Sequence, residues 1–311
     1  MSVPANKQVI CEVLKEAVRR DPDIVVLCSD SRGSGSMTSF FEEYPDNSVE
    51  VGIAEQDLVT ISAGLAASGK RPFAVSPASF LAARSFEQIK IDVGYSRTNV
   101  KLVGISGGVS YGALGSSHHS AQDIAAVGAL PGLRVYLPSD WRLTRALTEQ
   151  LARDNEAAYV RVGRSASPEV YGEGELRFQM DRAVTVREGG DLAVIACGDA
   201  VYEAVCAADR LAAEGIRCRV LDMYCLKPLD TEAVLRAARE TGRILTVEEH
   251  SIVGGLGSLV CQATARACPV PVQSLALPDS EIVTGSQRQV YHYYGLDAEG
   301  ICRAARKMVA L

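Results

Sequence analysis

An α/β fold in two domains, each a mainly parallel sheet flanked by helices, is what this 311-residue sequence predicts. Three observations lead there. Short apolar runs of strand length alternate with longer segments of helical periodicity. The alternation lapses once, from Gly163 to about Gly190, into Ser, Pro, Gly and charges before a second set begins. The length allows two domains, each with a core of its own.

In order, the first set of strands is expected at Ile24–Cys28, Phe73–Val75, Val100–Ile105, Arg134–Leu137 and Ala158–Val162. Helices are expected between them at Lys7–Arg20, Ile53–Ser68, Ala82–Val93, Ala121–Leu130 and Leu143–Asp154, the last with Ser139-Asp140 as its N-cap. The second set has strands at Leu192–Cys197, Arg217–Leu221, Arg243–Val247 and Val272–Leu275. Its helices are expected at Ala200–Ala213, Thr231–Glu240, Leu256–Ala267 and Ala298–Val309. Such alternation implies largely parallel sheets with helices on both faces. The expected division is residues 1–175, a linker at 176–190, and residues 191–311.

Composition narrows the function classes. With 47% hydrophobic and 23% charged residues the chain reads as soluble and globular, and a net charge of -6 gives no support for a nucleic-acid or anionic-membrane partner. No apolar stretch is long enough to cross a bilayer, and Met1 to Lys7 lacks a signal-peptide core, so a cytoplasmic location is expected. Nine cysteines, with no C-x-x-C pair and no histidines at ligand spacing, read as reduced and mostly buried thiols, with no protein-bound metal.

Glu55 stands out. It heads a helix of small and apolar residues, and its neighbours one and two turns on are Leu58, Val59 and Ser62. That face expects burial, where an ionised carboxylate is costly. A carboxyl that keeps its proton there can donate a hydrogen bond to a ring nitrogen; a first-turn Glu complementing the helix dipole is the plain structural alternative. Tyr111–Asp123 follows a buried strand in a Gly-rich stretch, and its adjacent His118 and His119 can bond hydroxyls or move protons, or simply cap the next helix. Asp30–Ser36, also past a strand, suits an anion, as do Arg161 and Arg164 at another strand end. The glycines after Glu248-Glu249-His250 offer a helix N-terminus, as anion site or plain turn.

Taken in order, these pieces resemble the C-terminal half of transketolase and related thiamine-diphosphate enzymes. The carriers are Val51-Gly52-Ile53-Ala54-Glu55-Gln56, the run Arg84–Ile89, and Gly115 ahead of His118-His119-Ser120 with Gln122-Asp123. Tyr136–Asp140, Arg161–Arg164 and Glu248–Gly257 follow, so the resemblance spans nearly the whole chain. It implies a pyrimidine-binding domain followed by a transketolase C-terminal domain.

The resemblance also implies site roles. Glu55 hydrogen-bonds the cofactor's aminopyrimidine nitrogen and so activates the thiazolium carbon. The positions matching the aromatic residues that pack on the pyrimidine hold Ala78 and Leu81, with Phe80 between them, so Phe80 and Leu81 are the expected cofactor contacts; Asp30 stands where the family has an active-site Asp, and Ser34 where a Ser contacts phosphate. His118, with His119 as its neighbour, meets donor hydroxyls, and Arg164, with Arg161, binds phosphate. Leu114 and Ser106 depart from the pattern, standing where the family has a hydroxyl-recognising Asp and a phosphate-binding His. An unusual sugar is therefore expected.

The family's Gly-Asp-Gly…Asn motif for Mg2+ and diphosphate does not occur here. The resemblance thus implies the smaller subunit of a split transketolase, paired with an N-terminal diphosphate-binding subunit in two copies each. It would transfer a two-carbon ketol unit from a ketose phosphate to an aldose acceptor, using thiamine diphosphate held jointly with that partner. A 2-oxoacid dehydrogenase β subunit and a non-catalytic interaction subunit are the competing readings.

Overall fold

The computed structural model describes residues 3–174 and 176–310. Twelve strands form two sheets. The first holds β1 (Ile24–Cys28), β2 (Ser48–Glu50), β3 (Arg71–Pro77), β4 (Lys101–Ile105), β5 (Arg134–Tyr136) and β6 (Ala158–Arg161). The second holds β7 (Val184–Arg187), β8 (Leu192–Ala196), β9 (Cys218–Asp222), β11 (Ile244–Ser251) and β12 (Val272–Leu277). One strand crosses over: β10 (Cys225–Lys227) leaves the second set and pairs antiparallel with β5, giving the order β10-β5-β6-β4-β3-β1-β2. The second order is β12-β11-β8-β9-β7, parallel except for β7.

Strand side chains alternate between two apolar layers, as a two-residue period requires. Val26 and Cys28 of β1 enter one layer while Val25 and Leu27 enter the other; Val194 and Ile195 of β8 divide the same way. Each layer runs through both sheets, so the two domains share their cores. The seam is reinforced where Tyr136 stacks on Tyr224, where the Leu137 N–H donates to the Tyr224 carbonyl at 2.7 Å, and where Lys227 reaches the Gly128 carbonyl at 2.9 Å.

The expected elements are present with ends moved by a few residues. Asp140 caps the helix Trp141–Leu151 by accepting from the Leu143 N–H at 3.0 Å. The helix expected at Ala82–Val93 is instead Ala78–Arg84, a short turn Phe86–Gln88, and a π-helical segment Ile89–Tyr95. Three short strands escaped the sequence reading. β2 and β10 have three residues each, too few for a pattern. β7 lies inside the stretch read as a linker, because Val-Thr-Val-Arg is a half-buried edge strand. The helices Thr38–Glu43 and Gln287–Tyr294 were also missed. All nine cysteines are free; most are buried, but Cys261 is exposed, against expectation. Among the described residues no helix is long and apolar enough to cross a membrane.

Candidate active site

Because β1, β2, β3, β4 and β6 run parallel, their carboxyl ends open on one edge, where loops of doubly wound sheets gather ligand groups. Asp30–Ser36 follows β1, Glu55 follows β2, Phe80 and Arg84 follow β3, His118 and His119 follow β4, and Arg164 follows β6. Backbone strain collects there too. Asp30, Ser36 and Ser106 hold positive φ without being glycine, three of five such residues described.

Glu55 begins the helix Glu55–Ala67 and is only 2% exposed, with Leu58, Val59, Ser62 and Ala63 buried on the same face. Its Oε2 accepts from Arg84 Nη1 at 2.6 Å. From Arg84 an unbroken run of contacts follows. The guanidinium lies 4.8 Å from the Phe80 ring centroid, Phe80 meets His118 edge-on at 5.2 Å, His118 meets Tyr111 at 5.0 Å, and Arg164 sits 3.7 Å over Tyr111. Four of the sequence candidates, Glu55, Phe80, His118 and Arg164, are thereby brought to one wall. Arg84 and Tyr111 complete it; neither was singled out for a role from the sequence, because an isolated Arg or Tyr carries no pattern.

His118 is half-buried, with Nδ1 2.9 Å from Ser117 Oγ. His119 is buried, and neither of its ring nitrogens finds a partner of good hydrogen-bond geometry. Burial lowers the His119 pKa, favouring neutral imidazole. His119, Phe80, Arg84, Ser117 and Ser120 line a cleft of about 480 Å3.

A second cation joins Arg164. Lys7, half-buried, donates from Nζ to the Ser34 carbonyl at 2.7 Å, and its pKa is lowered by burial and then by Arg164. One guanidinium nitrogen of Arg164, Nη1, is buried and unpaired. Two neighbouring cations and an unpaired donor beside Ser34 are of the chemistry that suits an anion. Lys7 was read from the sequence only as the start of a helix. Asp30 is exposed at the end of β1, its N–H donating to Glu50 Oε1 at 2.6 Å.

Two candidates are placed differently from expectation, and the alternatives left open for a third are narrowed. Arg161 does not reach the cleft. It is buried, donating to Asp123 Oδ1 at 3.1 Å and the Glu249 carbonyl at 2.7 Å, where Tyr159 also holds Asp123 at 2.7 Å. Leu81 points into the core with Leu58 and Ile89 and leaves Phe80 as the ring at the cleft. The helix N-terminus after Gly255 is closed to an outside anion, because Glu248 accepts from the Leu256 and Gly257 N–H groups at 2.6 and 2.8 Å.

The loop after β4 rests on this buried network. Glu249 Oε1 accepts from the Val109 N–H at 3.0 Å and from Gln287 Nε2 at 2.9 Å. A Cβ on Gly107 would meet Arg161 Cγ at 2.4 Å, and one on Gly108 would meet Glu249 Cδ at 2.3 Å, so only glycine permits this approach. Burial pushes the Glu249 pKa up to about 7, against the pull of Arg161.

Comparison with known proteins gives the family. Residues 3–169 match the transketolase pyrimidine-binding domain and residues 181–301 the transketolase C-terminal domain. The chain belongs to the transketolase family, whose enzymes depend on thiamine diphosphate. More narrowly, it is a transferase subunit of the split-transketolase kind. It is 49% identical to one subunit of the apulose-4-phosphate transketolase of Phocaeicola vulgatus, over 98% of this chain and 99% of that one. It is 35% identical to the 6-deoxy-6-sulfo-D-fructose transketolase subunit SqwH of a Clostridium species, covering 96% of this chain and 92% of that one. A split-gene transketolase solved as an inactive beta4 tetramer superimposes with a TM-score of 0.90 at 36% identity, over 99% of both chains.

Proposed function

We propose that this chain supplies the pyrimidine side of a thiamine-diphosphate site whose Mg2+ and diphosphate are held by an N-terminal partner subunit, in an assembly of two copies of each. The observation that carries the reading is the continuous wall Glu55–Arg84–Phe80–His118–Tyr111–Arg164 at the carboxyl ends of parallel strands. A deeply buried carboxylate beside an aromatic ring and an open cleft fits the cofactor's pyrimidine. For Mg2+ and diphosphate the fit is poor. Among the described residues the one group of His, Asp and Glu placed for a metal, His292, Asp297 and Glu299, lies on the C-terminal helices. The inactivity of the tetrameric relative is in keeping with a half site.

The cofactor, when bound, supplies the nucleophilic carbon for ketol transfer. Glu55 bonds the pyrimidine nitrogen, Phe80 flanks that ring, His118 orients donor hydroxyls with His119 behind it, and Lys7, Ser34 and Arg164 hold the anionic end of the sugar. Asp30 lies at the same rim. Docking the partner over the cleft excludes water. Ile53 (75% exposed) and Ile61 (41%) suit that contact, since they present apolar side chains from the start and outer face of the Glu55 helix.

The substrate follows from the relatives and from one substitution. Apulose 4-phosphate and 6-deoxy-6-sulfo-D-fructose, named for two of them, both end in a strong anion, which Lys7 and Arg164 suit. Leu114, 48% exposed in the loop before His118, offers an apolar contact where a carboxylate would bind a hydroxyl. We infer apulose 4-phosphate, or a sugar phosphate resembling it, as donor.

The test is reconstitution with the partner, thiamine diphosphate and Mg2+. Ketol transfer from apulose 4-phosphate is expected, with none from the chain alone. Glu55→Gln should lower kcat by about 10²–10⁴-fold in a complex that still assembles. Wild-type turnover in that variant would remove Glu55 from the chemistry.

A further inference from the structure

Arg84 already makes both contacts that the proposed function assigns to the cofactor's pyrimidine. Its Nη1 donates to Glu55 Oε2 at 2.6 Å, and its planar guanidinium lies 4.8 Å from the centroid of Phe80. A guanidinium shares with an aminopyrimidine a flat conjugated frame, a face that stacks on aromatic rings and an edge that bonds a carboxylate. Among the described residues the Glu55 side chain has no other hydrogen-bond partner, and the Arg84 side chain none besides Glu55.

The two ends of this pair differ in depth. Glu55 is 2% exposed and Arg84 48%. An ionised carboxylate at that depth is costly alone, so the unloaded chain needs a cation against it. Yet the cation is held by one of its five N–H donors and one ring face, at the last turn of the helix Ala78–Arg84. It is anchored well enough to neutralise Glu55 and loosely enough to leave.

Resting on the functional reading above, we propose that Arg84 is a placeholder for the pyrimidine ring, occupying Glu55 and Phe80 in the unloaded subunit and displaced when cofactor binds in the assembled enzyme. The pair keeps the half site folded before assembly, and cofactor binding must break it. Removing Arg84 therefore tightens binding and loosens the free subunit, a combination that a direct cofactor contact would not produce.

Two measurements test this. In the reconstituted complex with Mg2+, thiamine diphosphate is titrated by calorimetry into wild type and Arg84→Ala. The variant should bind about five-fold more tightly, since the displaced guanidinium is half exposed. In the isolated chain, urea unfolding of Arg84→Ala, Glu55→Gln and the double variant should show that Arg84→Ala lowers the midpoint only when Glu55 is present. Unchanged or weaker cofactor binding by Arg84→Ala overturns the proposal, as does additivity of the two substitutions. Should Arg84→Ala fail to fold, Arg84→Lys, which keeps the charge without the planar fork, must tighten binding in the same direction. A wild-type complex that binds no thiamine diphosphate would refute the functional reading and the placeholder together; binding that is insensitive to Arg84 would refute the placeholder alone.

Discussion

Arg161 and Arg164 stand three residues apart at the end of one strand, and they do opposite things. Arg161 turns into the seam between the sheets, where Asp123 and Glu249 take its nitrogens and Tyr159 and Gln287 complete the carboxylates. Arg164 instead stacks on Tyr111 beside Lys7, and leaves a buried nitrogen unpaired. A buried polar group that the fold satisfies belongs to the fold; one left unsatisfied beside other candidate site residues is open to a ligand. The same contrast separates Glu248, whose oxygens cap a helix of its own chain, from His119, whose ring nitrogens meet nothing of good geometry.

Substitutions can break this comparison. Arg161→Ala should cost the most in stability, about 3–5 kcal/mol, because it strands two buried carboxylates; urea unfolding of the isolated chain checks it, and a loss below about 1 kcal/mol would mean that the seam tolerates unpaired charge. Arg164→Ala should leave the urea midpoint near wild type but raise KM for the sugar phosphate about ten-fold or more in the reconstituted enzyme, through loss of a charge-assisted contact. Equal destabilisation by both variants would erase the distinction.

A pH-dependent effect belongs to Asp222, also in the seam. Its Oδ2 accepts from Ser139 at 2.5 Å and Tyr171 at 2.7 Å while Oδ1 is unpaired, and burial pushes its pKa up to about 7 from 3.8. The folded chain then holds a proton that the unfolded chain has released. This contribution to stability is intact below pH 4, falls as pH rises toward 7, and stays lost above. Asp222→Asn should flatten the fall between about pH 4 and 7 in urea midpoints. An unaltered slope would show that Asp222 is ionised throughout.

Much of the candidate site is legible in the sequence. Glu55 announces itself by chemistry, a carboxylate on a face shared with Leu58 and Val59. His118 and Arg164 are found by residue type at strand ends. Arg161 misleads because strand-end position does not say which way a side chain turns, and Lys7 was missed because it lies about 157 positions from the arginine it joins. Leu81 was read one residue from the ring that faces the cleft, since neighbouring helix positions point about 100° apart.

The order of strands and helices, their mainly parallel pairing and the depth of Glu55 were set by local pattern, because periodicity and burial are written residue by residue. The passage of β10 into the first sheet, the burial of Arg161, the pairing of Lys7 with Arg164 and the Arg84–Glu55 contact were decided only by tertiary structure. Each depends on which distant side chains arrive within about 3 Å, where hydrogen bonds form, and no local pattern carries that information.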